Sequence, residues 1–358
     1  MIISQTPYRV SFAGGGTDLP AFYRQEYGAV LSVAIDKHMY VTVSPRFEPT
    51  TRVAYTSTEI CERVDDIRHT LVREALRLTC LGRHLEITTI GDVPGGTGMG
   101  SSSSLTVGLL TALYAYRGEI ISHEELARQA CRIEIDILKK PIGKQDQYAA
   151  AYGGLNYIRF NPDETVHVEP VPCRAEVLQN LERSVLLMYT GQQRNADEIL
   201  QQQSDGVSSR RPVLRQMRDL ADAARRALAG RGDLAEFSRI LHEGWLLKKS
   251  LGCGISQKRL DDWYETARRA GAQGGKLLGA GGGGFLMLMA PPERHEAIRE
   301  ALGRPRELAF GMDQRGSRII FIHNRPLLKE TGTYGREDMH ARSRLSGEPG
   351  AAGGIDQF

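Results

Sequence analysis

The stretch PGGTGMGSSSS (94–104), running without a break into LTVGLLTALYAY (105–116), constrains this chain more than any other. Glycines at that density disfavour both helix and strand, so a loop is predicted there. In the segment that follows, Leu105, Leu109, Ala112, Leu113 and Tyr116 recur at helical spacing. Val107, Leu110 and Tyr114 fill the other side, which predicts a helix buried nearly all round. A glycine loop feeding a helix lets backbone N–H groups approach an anion closely. The unpaired N–H groups and positive dipole end of the helix then aim at the same place. Gly95, Gly96, Gly98, Gly100, Ser101 and Ser102 are therefore candidate phosphate-binding positions. Ser hydroxyls can also coordinate Mg²⁺. The pattern is not a Walker A loop. At GGK (274–276) Leu277 follows the lysine and Ala270 stands where the first glycine is required.

Three further segments carry chemistry. In IEIDILKKPIGKQDQY (133–148), Glu134 and Asp136 are two apart on a predicted helix and do not share a face, so only one of them looks at a site. Asp146 lies past Pro141 and Gly143, between two glutamines. A carboxylate there can accept a proton from a substrate hydroxyl or bind Mg²⁺, and an isolated loop Asp can equally be a solvated cap. In TPYRVSFAGGGTDLP (6–20) a strand carrying Arg9 meets a triple-glycine turn and Asp18. The turn lacks the spacing of a dinucleotide fingerprint. Asp18 suits vicinal sugar hydroxyls, or caps its own turn. In KLLGAGGGGFLML (276–288) the glycines serve neither helix nor strand. Either two backbones pack closely there or the loop wraps a ligand, and the two are not exclusive.

Composition bounds the class. With 358 residues, 41% hydrophobic and 25% charged, the chain is an ordinary globular one of about two domains, not a disordered one. Lys and Arg number 46 against 43 Asp and Glu, a net +3, which gives no footprint for a nucleic-acid binder. No run approaches the roughly 18 apolar residues of a membrane span. MIISQTPYRVSF lacks the basic and apolar regions of a secretory signal. Five scattered cysteines without a CxxC predict neither a disulfide framework nor a zinc site, and a reduced cytoplasm fits them.

Strands are predicted over 1–11, 29–35, 39–44, 84–90, 155–160 and 184–189, with a helix over 65–81. Ser122 and Glu125 form a predicted capping box before the apolar face of Leu126, Ala130, Ile133 and Ile137, and Pro141 stops that helix. After about residue 182 helices dominate: 194–203, 208–229, 233–250 and 256–270. Arg210, Arg211, Arg215, Arg218, Arg225 and Arg226 read as a solvated face. RIIFIH (318–323) is a late strand, and the Gly-rich end beyond about 330 reads as a mobile tail. The expectation is an α+β protein in two lobes, 1–180 and 181–328, with a tail over 329–358.

These four segments, in this order, resemble the GHMP small-molecule kinase superfamily over about residues 4–325. PGGTGMGSSSS is similar to its phosphate-binding motif, TPYRVSFAGGGTD to its N-terminal motif and GAGGGG to its C-terminal glycine motif. The resemblance implies a two-lobed fold. Its N-terminal lobe carries a left-handed β-α-β unit, against the usual right-handed rule, and its C-terminal lobe is ferredoxin-like. Within the superfamily, AGGGTDLP, IGKQDQYAAAYGG and YTGQQRNADEIL (189–200) look most like D-glycero-D-manno-heptose 7-phosphate kinases. Gly15-Gly16 replaces the Glu-His pair of galactokinases, which leaves space and removes a negative charge near the sugar.

The resemblance implies ATP and Mg²⁺ as cofactors, and the anomeric hydroxyl of a sugar phosphate as acceptor. It implies Asp146 as the catalytic carboxylate and Arg9 as the basic group paired with it. Glu134, with Ser101 or Ser102, would hold the metal. Asp18, with Thr17 and Gly16, would hold the sugar, and Gly282 and Gly283 would close over it. A heptose 7-phosphate also needs an anion site, for which Lys144 and Arg194 are the candidates. A kinase for a neutral sugar such as L-fucose and a catalytically silent sugar sensor are the alternatives. No nucleic-acid or membrane partner is expected, and a homodimer is left open.

Overall fold

In the computed structural model, residues 1–192, 201, 206–230, 232–252, 255 and 257–323 are described. Met1–His323 form one compact unit. Arg194 and Cys253, most of the helix expected over 194–203 and the tail from 329 lie outside the described residues.

The first sheet is built on one long strand. The sequence suggests two strands over 29–35 and 39–44, but β2 runs unbroken from Gly28 to Pro45. The polar Asp36-Lys37 step is absorbed by an irregularity against β1 (Ile2–Ala13), where Pro7 pairs with His38 and Tyr8 with Ile35. The backbone there stays satisfied, since the Asp36 N–H donates to the Gly311 carbonyl at 2.8 Å. On its other edge β2 pairs first with β6 (Leu155–Phe160), then with β5 (Leu85–Gly91). β3 (Thr51–Ala54) pairs antiparallel with β4 (Thr58–Cys61) and parallel with β5, and β7 (Val166–Pro170) flanks β6. The late strand β11 (Arg318–Ile322) returns to pair with β1, so residues placed by sequence in the second lobe complete the first sheet.

Short helix α1 (Pro20–Tyr23) follows the N-terminal glycine turn. Helix α2 is shorter than expected, Thr70–Leu78, with a separate 3-10 turn at Val64–Asp66. Helix α3 (Ser101–Arg117) is buried continuously from Ser103 to Leu113, as its pattern predicts. It lies tight on β1, where a Cβ at Gly108 would meet Thr6 Oγ1 at 2.9 Å. Helix α4 (His123–Cys131) starts with Ser122 Oγ accepting from the Glu125 N–H at 3.2 Å. The other half of the capping box does not form, because Glu125 is taken by Arg128 and Gln129. A π-helical turn over Arg132–Ile137 leads to α5 (Gln145–Tyr152).

After α6 (Ala175–Ser184), a second antiparallel sheet has the order β8 (Val185–Tyr189), β10 (Phe285–Met289), β9 (Gly274–Leu277). Its free β8 edge is bridged antiparallel by residues 306–308, through Met188 and Glu307. Four segments in chain order 1-2-3-4 thus lie as 4-1-3-2. Helices α7 (Val207–Leu228), α8 (Leu234–Ser250) and α9 (Lys258–Ala270) fall between the first two, and α10 (His295–Ala301) before the last. This is the ferredoxin-like arrangement. The arginines of α7 form more than a solvated face: Arg215 and Arg218 pair with Glu26 at 2.8 and 3.1 Å, and Arg225 with Glu169 at 2.7 Å.

Candidate active site

The two glycine loops meet in the structure. A Cβ on Gly279 would stand 2.5 Å from Gly98 Cα, and one on Gly284 would stand 2.3 Å from the Thr97 carbonyl oxygen. Close backbone packing is therefore what the GAGGGG glycines provide. Beside this contact lies a cavity of about 330 Å³, lined by residues of β1, the N-terminal glycine turn, the phosphate loop, α5 and the second lobe.

The phosphate loop ends at Gly100, which is left-handed at φ +75° and caps α3 without any side-chain hydrogen bond. The first N–H groups of α3 have no partner one turn earlier. They belong to Ser101–Ser103, which line the cavity. Such a helix start favours an anion through its dipole as well as its donors.

Arg9 reaches the cavity from the middle of β1 and is 3% exposed. Its Nε donates to Asp146 Oδ1 at 2.7 Å and its Nη2 to Oδ2 at 2.8 Å. Its Nη1 donates to the Gly98 carbonyl at 2.6 Å. The fork fixes the Asp146 carboxylate in one orientation at the phosphate loop. A Cβ on Gly100 would come within 3.1 Å of it. Ser11 Oγ donates to Gln145 Oε1 at 2.9 Å and ties α5 to β1 a second time.

Asp18 is buried and accepts from the N–H groups of Gly16 at 2.9 Å and Gln145 at 3.3 Å. Burial pushes its carboxyl above the usual range, against those two donors, and Asp146 nearby adds to the rise. Asp18 therefore braces the loop before α5 while lining the cavity. Gly143 makes this possible, since a Cβ there would fall 2.0 Å from Asp18 Oδ2.

The wide π turn carries Glu134 fully inward and leaves Asp136 exposed toward a neighbouring cleft, as the two-residue spacing requires. Glu134 Oε1 accepts from Ser102 Oγ and from Lys140 Nζ, the latter at 3.1 Å, while Oε2 accepts from Gln147 Nε2 at 2.9 Å. Lys140 Nζ also donates to Ser102 Oγ at 2.6 Å. A side-chain cation thus sits on the hydroxyl and carboxylate that would hold a Mg²⁺. Among the described residues no group of three His, Cys, Asp or Glu could hold a metal unaided. A Mg²⁺ taking one carboxylate, one hydroxyl and donor phosphates fits this set.

Gly16, Gly96, Gly98, Gly100, Ser101, Ser102, Arg9, Asp18 and Asp146 thus converge on one cavity. Other sequence candidates do not line it. Lys144 Nζ bonds Glu164 and stands 4.6 Å from the centre of the Tyr23 ring, in the neighbouring cleft. Thr17 is buried in its own turn, donating to the Gly14 carbonyl and bonding Ala29. Gly282 donates to the Ile255 carbonyl, Gly283 packs on Gln192, and Gly95 sits beside Ser101. Sequence reasoning missed Lys140, Lys248 and Lys276, all of which line the cavity. Lys248 offered a signal: Phe237, Leu241, Trp245 and Lys248 repeat at helical spacing, a cation on an apolar stripe. Burial pushes the Lys248 ammonium down to about 8, with Arg9 adding to the drop and Asp18 opposing it. Lys276 falls well below the usual lysine range, through burial first, then Lys248 and Arg9.

A helix-start anion cradle and an arginine-clamped carboxylate share one cavity, with a buried carboxylate bonded to Ser102 behind it, and these are the parts a kinase, a phosphotransferase with an alcohol acceptor, requires. Known proteins make the class specific. The family model of the GHMP kinases N-terminal domain matches residues 69–154, and that of the GHMP kinases C-terminal domain matches residues 213–306. The chain belongs to the GHMP kinases, which take ATP as phosphoryl donor. It is 28% identical over 327 residues to the D-glycero-alpha-D-manno-heptose 7-phosphate kinase of Campylobacter jejuni, covering 86% of this chain and 96% of that protein. It is 27% identical to the bifunctional fucokinase/GDP-fucose pyrophosphorylase of Arabidopsis thaliana, over 83% of this chain and 31% of that one. The structure of a D-glycero-D-manno-heptose 1-phosphate kinase from Bacteriodes thetaiotaomicron superposes with a TM-score of 0.76 at 27% identity, covering 90% of this chain and all of that one. Among the described residues no helix is long and apolar enough to cross a membrane.

Proposed function

We propose that this kinase transfers the terminal phosphoryl of ATP to the anomeric C1 hydroxyl of D-glycero-D-manno-heptose 7-phosphate, giving the 1,7-bisphosphate. The Arg9–Asp146 fork at the mouth of the phosphate loop carries the phosphoryl-transfer part of this reading. The similarity to heptose phosphate kinases along nearly the whole chain supports the substrate.

In this reading the free N–H groups of Ser101–Ser103 and the loop glycines hold the donor phosphates. Asp146 orients the acceptor hydroxyl and takes its proton, while Arg9 offsets charge on the moving phosphoryl. Asp18 accepts hydrogen bonds from sugar hydroxyls. Glu134 and Ser102 would hold Mg²⁺, displacing Lys140, and the metal supplies charge neutralisation at the donor phosphates. Phosphoryl transfer asks mainly for such positioning and electrostatics.

The metal assignment has its own test. Glu134→Gln is expected to raise the Mg²⁺ concentration for half-maximal rate by about 10–100-fold, the usual effect of damaging a metal shell. Asp136→Asn, exposed and outside the cavity, should leave it unchanged. Magnesium titrations of both variants decide it, and a larger effect of Asp136→Asn sinks the assignment.

A neutral-sugar kinase is the second reading. It is favoured by the fucokinase relatives and by Lys144 standing outside the cavity. A panel of D-glycero-D-manno-heptose 7-phosphate, the unphosphorylated heptose and L-fucose separates the two. The wild type is expected to prefer the 7-phosphate by at least about 100-fold in kcat/KM, with phosphorus NMR placing the new phosphate at C1. Equal kcat/KM for the phosphorylated and plain heptose moves the assignment to the neutral sugar.

A further inference from the structure

The cavity holds more positive charge than the proposed roles use. Four basic side chains line it, Arg9, Lys140, Lys248 and Lys276, against two acidic ones, Asp18 and Asp146. Arg9 is matched by Asp146, and Lys140 by Glu134. Among the described residues Lys248 and Lys276 have no such match. Both are 6% exposed. Among the described residues Lys248 Nζ donates to the Gly279 carbonyl, and Lys276 Nζ to the Phe12 carbonyl at 3.2 Å. A lysine ammonium carries three donors, so each is short of acceptors. Two buried like charges with no carboxylate bonded to them among the described residues oppose folding, and burial makes both easier to deprotonate, with Arg9 adding to the drop for Lys248, and Lys248 and then Arg9 for Lys276. A backbone carbonyl alone does not justify a buried cation, because an apolar side chain of similar length would pack there at less cost.

We propose that Lys248 and Lys276 form a second phosphate subsite, entered from the second lobe, that receives a phosphate monoester dianion. Two sources share that chemistry: a phosphate on the acceptor and the terminal phosphate of the nucleotide. Placement favours the acceptor. The donor phosphates already have the α3 N–H groups, the loop glycines and Arg9. Lys276 Nζ bonds the Phe12 carbonyl, just before the N-terminal glycine turn that carries Asp18, and both lysines feel Asp18, the carboxylate assigned to sugar hydroxyls, as well as Arg9. The acceptor assignment rests on the function proposed above; the subsite itself does not. It also supplies the anion site that Lys144, tied to Glu164, does not supply.

The test uses Lys248→Met and Lys276→Met in the full chain, singly and together. With the nucleotide cradle saturated by a non-hydrolysable ATP analogue and Mg²⁺, calorimetric titration with inorganic phosphate should show binding to the wild type. Each substitution should weaken it at least about tenfold. KM for heptose 7-phosphate should rise by about tenfold or more per substitution while KM for ATP stays within about twofold. The melting temperature should hold or rise, since methionine removes a buried charge. A purely structural lysine would do the reverse, losing melting temperature and keeping phosphate affinity, and that result overturns the subsite. A rise confined to KM for ATP assigns the lysines to the donor and overturns the acceptor assignment. If phosphate binding is lost as expected but the wild type uses the unphosphorylated heptose equally well, the subsite stands and the heptose 7-phosphate reading fails. Lys276→Gln, which keeps an N–H for the Phe12 carbonyl, gives the same readouts should the methionine variant not fold.

Discussion

Asp146→Asn is expected to lower kcat by about 10²–10⁴, the usual worth of a positioned general base. The asparagine is nearly isosteric and can still accept one N–H from Arg9, so the shape of the cavity survives. What disappears is the carboxylate that takes the acceptor proton, together with half of a two-bond fork. Arg9, 3% exposed, then loses its counter-charge. Removing one partner of a buried pair costs about 3–5 kcal/mol. The loss here belongs at or below the low end, because the Asp146 side chain is 22% exposed. Turnover must therefore be compared in protein shown to be folded and to bind ATP with near wild-type affinity. Near-normal kcat in such a preparation removes Asp146 from the chemistry. If Asp146 only oriented the hydroxyl, the amide would replace much of its function and the loss would stay within about tenfold.

The parts of the site legible in the sequence are those written in short windows. The glycine-serine loop and the buried α3 follow from spacing alone, because a helix converts sequence offset directly into direction; spacing also puts Glu134 and Asp136 on opposite sides, and the resemblance says which of them faces in. The fork between Arg9 and Asp146 spans 137 positions, and no local pattern announces it. Only the resemblance to a kinase family paired them. The two cavity lysines illustrate the same limit differently. Lys276 looks like an ordinary strand residue beside a glycine run, and Lys248 is a cation on an apolar helical stripe with nothing in the sequence to say what it faces. Their meeting depends on α8 crossing β9, which is a fact of packing. Strand boundaries failed for a related reason. The Asp36-Lys37 step looks like a turn, yet a bulge in its pairing with β1 and a bond to Gly311 keep β2 continuous. Lys144 is a basic residue in a suggestive motif that spacing could not place: it pairs with Glu164, which Arg24 and Tyr23 also hold.

Gly279→Ala should be strongly damaging for the addition of a single methyl group. Gly279 sits at φ +72°, where a residue with a Cβ costs about 1–2 kcal/mol. Its Cβ would also stand 2.5 Å from Gly98 Cα, a backbone atom of the phosphate loop. The loop cannot yield freely, because the Gly98 carbonyl accepts from Arg9 and Gly98 itself would clash with the Leu278 carbonyl at 2.6 Å were it to bear a Cβ. The expected loss is about 2–4 kcal/mol in equilibrium unfolding, with a KM for ATP raised at least about tenfold as the cradle shifts. Gly303→Ala isolates the two contributions. It has nearly the same backbone, φ +76°, with nothing within 4 Å of the added methyl. It should therefore show only the conformational cost of about 1–2 kcal/mol and leave KM for ATP untouched. Equal losses in the two variants, with ATP affinity preserved in both, would mean that the glycine loop tolerates separation from the phosphate loop. The tight contact between the lobes would then have no part in shaping the nucleotide site.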